Sequence, residues 1–121
     1  MPTVAQINLA QTAYPYIKII DITGELDESN LDEFEKVLQP IVEDESNKRI
    51  ILKLDGLEFM SSKIIGYLAS IHNGLEGTDR QMIFTGCNNT IRDILSVVGL
   101  DQMIPCIPTV EKVIEMIQPQ S

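Results

Sequence analysis

Apolar residues in this chain switch repeatedly between the two-residue period of a strand and the period of about 3.6 residues that marks a helix, and few folds accept that order. Val4-Ala5-Gln6-Ile7-Asn8-Leu9 alternates with period two and predicts a strand with one wet face. Gln11 to Pro15 reads as a turn, because proline disfavours a ladder position. Tyr16 to Ile22 predicts a second strand, ended by Thr23-Gly24, and its closeness to the first predicts an antiparallel hairpin. Ser29 and Asn30 are candidate N-caps, and Leu31, Phe34, Val37, Leu38 and Ile41 follow at helical spacing, with Pro40 weakening the last turn. A polar connector, 43–48, leads into Arg49 to Leu54, whose continuous apolar content predicts a strand buried on both faces.

Asp55 to Met60 reads as a loop into a second helix, where Ile64, Ile65, Leu68, Ile71 and Leu75 form a core face closed by Gly74 and Gly77. Gln81 to Phe84 predicts a fourth strand, and Thr90 to Val98 a third helix stopped by Gly99. Met103-Ile104-Pro105 predicts a short edge strand, after which Thr109 caps a last helix carrying Val110, Val113, Ile114 and Ile117. The order β-β-α-β-α-β-α-β-α implies an α/β fold: a mostly parallel sheet with right-handed crossovers and an antiparallel hairpin at its N-terminal edge. A length of 121 residues is expected to form a single domain over 1–121.

Charge and missing motifs exclude several functions. The chain carries 18 Asp and Glu against 9 Lys and Arg, a formal net charge of −9. Such a surface repels phosphate backbones and anionic lipid, so direct nucleic-acid binding is not expected. It suits a basic protein partner, or serves solubility alone. No apolar run is long enough to span a bilayer and no secretory signal opens the chain, so a cytoplasmic location is expected. Cys87 and Cys106 read as small core residues in a reducing compartment, with a redox pair as the alternative. His72 is the single histidine, predicted in mid-helix as a structural or surface residue, so a zinc site is not expected and a serine–histidine–aspartate centre would depend on that one residue. Asp32-Glu33 and Asp44-Glu45 look like solvated faces. With no glycine-rich phosphate motif, HExxH or GxSxG, no cofactor and no enzymatic activity are expected.

The informative stretch is 50–70, IILKLDGLEFMSSKIIGYLAS. A buried strand feeds a loop that ends in two hydroxyls, Ser61 and Ser62, at the start of a strong amphipathic helix. One reading is a serine N-cap. The other is a modifiable surface. A phosphate in the first helical turn is tolerated by the helix dipole and adds about −1.5 to −2 charge without unfolding the domain. The predicted outward face carries Lys63, Gly66, Tyr67 and Ser70. Gly66 and Ser70 would let a partner approach closely and Tyr67 would anchor it, while Gly66 could equally serve close helix–sheet packing.

Three segments in order resemble the STAS family, the anti-sigma factor antagonist domain. Ile19 to Asp27, IIDITGELD, resembles the family strand that ends in a G-x-(L/I)-D turn. Leu52 to Ala69, LKLDGLEFMSSKIIGYLA, resembles the apolar strand, the D-S-(S/T)-G-(L/I)-G motif and the second helix. Gly86, the helix from Ile91 to Leu95, and Gly99-Leu100 resemble the C-terminal region. In this alignment Ser62 falls on the serine that the family's partner kinase phosphorylates, and Gly66 on the second motif glycine. Ser61 stands where the family has aspartate, and Lys63-Ile64 where it has Ser/Thr-Gly.

The resemblance implies an anti-anti-sigma mechanism. The unphosphorylated domain would bind an anti-sigma factor, often a GHKL-type serine kinase, and free the sigma factor; phosphorylation of Ser62, with Ser61 as second choice, would weaken that complex. Asp27, Ser61, Ser62, Lys63, Gly66 and Tyr67 are the expected contacts, Asp27 because its loop should share a sheet end with Ser61, although it could be only a turn residue. The alternative keeps the fold without the switch, as a scaffold or docking module in a signalling assembly. A receiver domain would use Asp55 as acceptor, but it needs an acidic pair after its first strand and a lysine after its last, and this chain has Leu9-Ala10 and Cys106-Ile107-Pro108 there. A small ligand such as a nucleotide or lipid has no phosphate cradle to support it. The chain is expected to be a monomer or a weak homodimer through the strand at 4–9.

Overall fold

The two longest strands, β2 (Ile17–Leu26) and β3 (Arg49–Met60), run parallel and pair from Ile17–Arg49 to Leu26–Met60. The computed structural model describes residues 5–10 and 12–117. β1 (Ala5–Ala10) lies antiparallel to β2, β4 (Gln81–Thr85) parallel to β3, and β5 (Cys106–Ile107) parallel to β4, so the sheet order follows the chain. The expected strand start at Val4 and the start of the expected turn at Gln11 fall outside the described residues.

Helices α1 (Leu31–Glu43), α2 (Ser62–Leu75) and α3 (Asn89–Val97) each cross from one parallel strand to the next. Right-handed crossovers that all step in one direction must cover one face of the sheet. The main core lies there, with Ile20, Ile22, Ile50, Leu52 and Leu54 meeting Phe34, Leu38, Ile64, Leu68, Ile91 and Leu95. The other face carries a smaller core of Ile17, Ile19, Ile51 and Ile83, closed by Val113 of α4 (Val110–Ile117). β3 is thus buried on both faces, as its apolar run implies.

Both long strands outrun their sequence-predicted ends. Thr23-Gly24 lies inside β2, where Gly24 (φ +92°) sits at a bulge and the ladder shifts register on either side of it. Asp55-Gly56 likewise lies inside β3, and a Cβ on Gly56 would come within 2.6 Å of Thr23 Cγ2. The glycines therefore let the ladder continue where their turn preference pointed to a break. The expected edge strand at Met103-Ile104-Pro105 is also displaced. A 3-10 turn at Leu100–Gln102 follows Gly99 (φ +75°), Ile104 plugs the main core, and the Pro105 carbonyl accepts the Phe84 amide at 2.9 Å. Pro105 has no N–H, and the strand is assigned only from Cys106. Pro40 is accommodated on the exposed side of α1, which continues to Glu43.

Phe34 is fully buried and meets Tyr67 edge-on, with ring centroids 5.8 Å apart. Phe34→Ala should cost about 3–5 kcal/mol in urea unfolding. Phe59→Ala, at a side chain 41% exposed, should cost less than about 1 kcal/mol.

Candidate functional site

The last rung of the β2–β3 ladder places two loops side by side. Leu26 pairs with Met60, and the Ser61 amide donates to the Leu26 carbonyl at 2.9 Å. The chain after β2 and the start of α2 therefore share one end of the sheet, as expected for Asp27 and Ser61. Asn30, only 5% exposed, fixes the first loop: its Oδ1 accepts the Asp27 amide at 2.9 Å and its Nδ2 donates to the Glu25 carbonyl at 2.8 Å. Asp27 in turn accepts the Ser29 amide at 2.9 Å and the Ser29 hydroxyl at 2.6 Å. Asn30 occupies the N-cap position of α1, but its side chain makes no cap bond. Sequence reasoning read this residue as a cap and missed its role in positioning Asp27. The signal was an asparagine three residues after an aspartate, a spacing that also forms local loop bonds.

The two serines differ sharply. Ser61 is the N-cap residue of α2, yet its side chain caps nothing; its carbonyl accepts the Ile65 amide at 3.1 Å. Its Oγ is buried and has no hydrogen-bond partner among the described residues, so the serine-cap reading is corrected. Ser62 is the first residue of α2 and is exposed. It stands where the first-turn N–H groups of a helix lack intrahelical partners. Lys63, Gly66 and Ser70 are exposed too, and a Cβ on Gly66 would meet nothing within 4 Å. Close helix–sheet packing therefore does not explain Gly66.

Tyr67 is half-buried between α2 and α1 rather than freely outward. Its hydroxyl donates to Gln39 Oε1 at 2.8 Å, and burial, reinforced by Glu35 and Glu43, pushes its pKa up to about 12. The exposed acidic residues of the adjoining α1 include Asp32 and Glu33 in its first turn.

The other chemical candidates do not converge here. Asp55 is exposed within β3, not at the end of a strand, and faces Lys53 at 3.4 Å. His72 is half-buried in the last turn of α2. No group of three potential metal ligands occurs among the described residues, and none of their helices is long and apolar enough to cross a membrane. Cys87 and Cys106 pack at the margin of the main core, half-buried and not joined by a disulfide.

The family model described as the STAS domain matches residues 8–113. The anti-sigma-B factor antagonist of Staphylococcus aureus (strain NCTC 8325 / PS 47) is 24% identical over 98 residues, covering 81% of this chain and 90% of that protein. An anti-sigma factor antagonist from Mycobacterium paratuberculosis superposes with a TM-score of 0.82 at 18% identity, over 96% of each chain. The Bacillus cell fate determinant SpoIIAA in its phosphorylated form superposes with a TM-score of 0.72 at 20% identity, over 93% of this chain and 100% of that one.

The two serine and glycine positions give opposite expectations from their one-letter roles. Ser61→Ala removes an unsatisfied buried hydroxyl and should be neutral or stabilise by up to about 1 kcal/mol, whereas loss of a true N-cap costs about 1 kcal/mol. Gly66→Ala should stabilise the domain by about 0.5–1 kcal/mol, since the site is open and mid-helix glycine is unfavourable. Urea unfolding of each variant against the parent chain checks both.

Proposed function

The chain belongs to the STAS family, and from that membership we propose that it is a cytoplasmic anti-sigma factor antagonist whose partner surface is switched at Ser62. The unmodified domain binds an anti-sigma factor of the serine-kinase type and so releases a sigma factor. It is a binding protein and not an enzyme, and residues 1–121 act as one domain. The observation that carries this reading is the contrast at the start of α2: Ser62 is exposed at the first helical position, while the Ser61 hydroxyl is buried. Of the two, Ser62 is the hydroxyl a kinase can reach.

The contact surface combines Asp27, Ser61, Ser62, Lys63, Gly66 and Tyr67. Asn30 holds the Asp27 loop, the Ser61 backbone ties the start of α2 to the end of β2, and Gly66 leaves the helix open to a partner. A phosphate on Ser62 is compatible with the positive end of the α2 dipole, so the fold persists. The same group adds about −1.5 to −2 charge and must be desolvated in a closed interface, which weakens the complex. Lys63 beside it is exposed and moderates the added charge. The structure of a SpoIIAA in phosphorylated form supports the compatibility of this fold with such a group.

A second reading retains the docking surface without the switch. It is favoured by one observation, the Ser61-Ser62-Lys63-Ile64 sequence, which departs from the family motif on both sides of Ser62. Ser62→Ala and Ser62→Asp separate the two. The switch predicts that the aspartate variant binds the anti-sigma factor at least about tenfold more weakly than the alanine variant in calorimetric titration, a difference of about 1.4 kcal/mol. Equal affinity of the two variants, both folded, would leave the docking module.

A further inference from the structure

Cys87 and Cys106 lie 19 positions apart in the chain, yet their Sγ atoms are 3.3 Å apart. Two features of the fold bring them together. β4 and β5 run parallel with Phe84 beside Cys106, and Cys87 stands just past the end of β4, where the Gly86 amide still bonds the Ile107 carbonyl at 3.2 Å. Both residues pack at the margin of the main core and are half-buried rather than sealed inside it. A disulfide needs its sulfurs about 2.05 Å apart, so closure asks for a shift of about 1.2 Å. We propose that Cys87 and Cys106 are a reversible dithiol–disulfide pair, oxidised by a low-molecular-weight disulfide such as oxidised glutathione.

Cys106 is the attacking sulfur. The contact with Cys87 and the nearby Arg92 charge favour the Cys106 thiolate, while the same contact and burial hold Cys87 as the thiol. The Cys106 thiolate attacks one sulfur of the oxidant, forms a mixed disulfide and expels the first glutathione thiolate. Cys87 then gives up its proton, and its sulfur attacks Cys106 Sγ and expels the second. Two protein thiols lose two electrons and two protons in total; the oxidant's disulfide gains both and leaves as two thiols.

The bond would close the segment 87–106 into a ring. That ring holds α3, the 3-10 turn and three of the most exposed apolar side chains, Val97, Val98 and Met103. Its N-terminal anchor is already fixed, because the neighbouring Asn88 donates to the Leu57 carbonyl at 2.8 Å and caps α3 through the Ile91 amide at 3.0 Å. Oxidation thus stiffens α3 against the sheet without moving its start.

The folded full chain, incubated with oxidised glutathione at neutral pH, tests this. The expected product is a monomer lighter by two hydrogens, in which the tryptic peptides 81–92 and 93–112 are joined, and which dithiothreitol restores. Its Tm should rise by about 5–10 °C over the reduced form. Cys87→Ser and Cys106→Ser should each abolish the mass loss and the Tm rise while unfolding near the reduced parent's Tm. Stable glutathione adducts, disulfide-linked dimers, or joining of the peptides only after denaturation would overturn the pair.

Discussion

The amide of Ser61 reaches back to the carbonyl of Leu26, and this bond sits at the far end of the β2–β3 ladder. Everything at the functional end of the domain depends on that ladder running its full length. If β2 stopped at Ile22 and β3 at Leu54, the chain entering α1 and the chain entering α2 would be free loops with no fixed distance between them. The bulge at Gly24 and the bare backbone of Gly56 against Thr23 carry the pairing past the point where it would otherwise end. Asn30 then converts the exit from β2 into a fixed loop by bonding on both sides, to Asp27 and to Glu25.

The sheet order imposes a second constraint. Three successive crossovers step the same way, so the three helices that carry most of the core share one face. α2 is the middle helix of that layer. Its buried side is occupied by Ile64, Leu68, Ile71 and Leu75, one flank meets α1 through Tyr67 and Phe34, and the open residues of its first half include Ser62, Lys63, Gly66 and Ser70. A helix fixed on its inner side and one flank presents its outer residues at set positions. That suits recognition of another protein by shape.

Much of this was legible in the residues. The periodic segments placed all four helices within about a residue or two, because amphipathic spacing is read directly from which positions must be buried. Asp27 and Ser61 could be assigned to one sheet end from topology alone. The failures share a cause. Gly24, Gly56 and Pro105 were read by their local preferences, whereas their conformations are set by the strand or helix they meet. Ser61 looked like a cap for the same reason: serine before a helix usually bonds the first turn, but here the hydroxyl is turned into the protein and the backbone makes the bonds. The proximity of Cys87 and Cys106 depends on the exact pairing of β4 with a two-residue strand displaced from its expected position, and no spacing rule reports that.

The charge of the chain bears on how a phosphate at Ser62 could act. With a net charge of −9, the domain would attract a basic partner before any modification. Another negative group raises that attraction at long range, where the partner senses only the summed field. In the proposed switch, release on phosphorylation would therefore arise at contact, where the phosphate would give up water and Gly66 would no longer meet a flush surface. Lys63 lies on the same exposed turn and offsets part of the charge, but it supplies none of the lost hydration. Such a switch would act on the rate of dissociation more than on the rate of encounter, because encounter would be steered by the whole acidic surface and dissociation governed by the few atoms around Ser62.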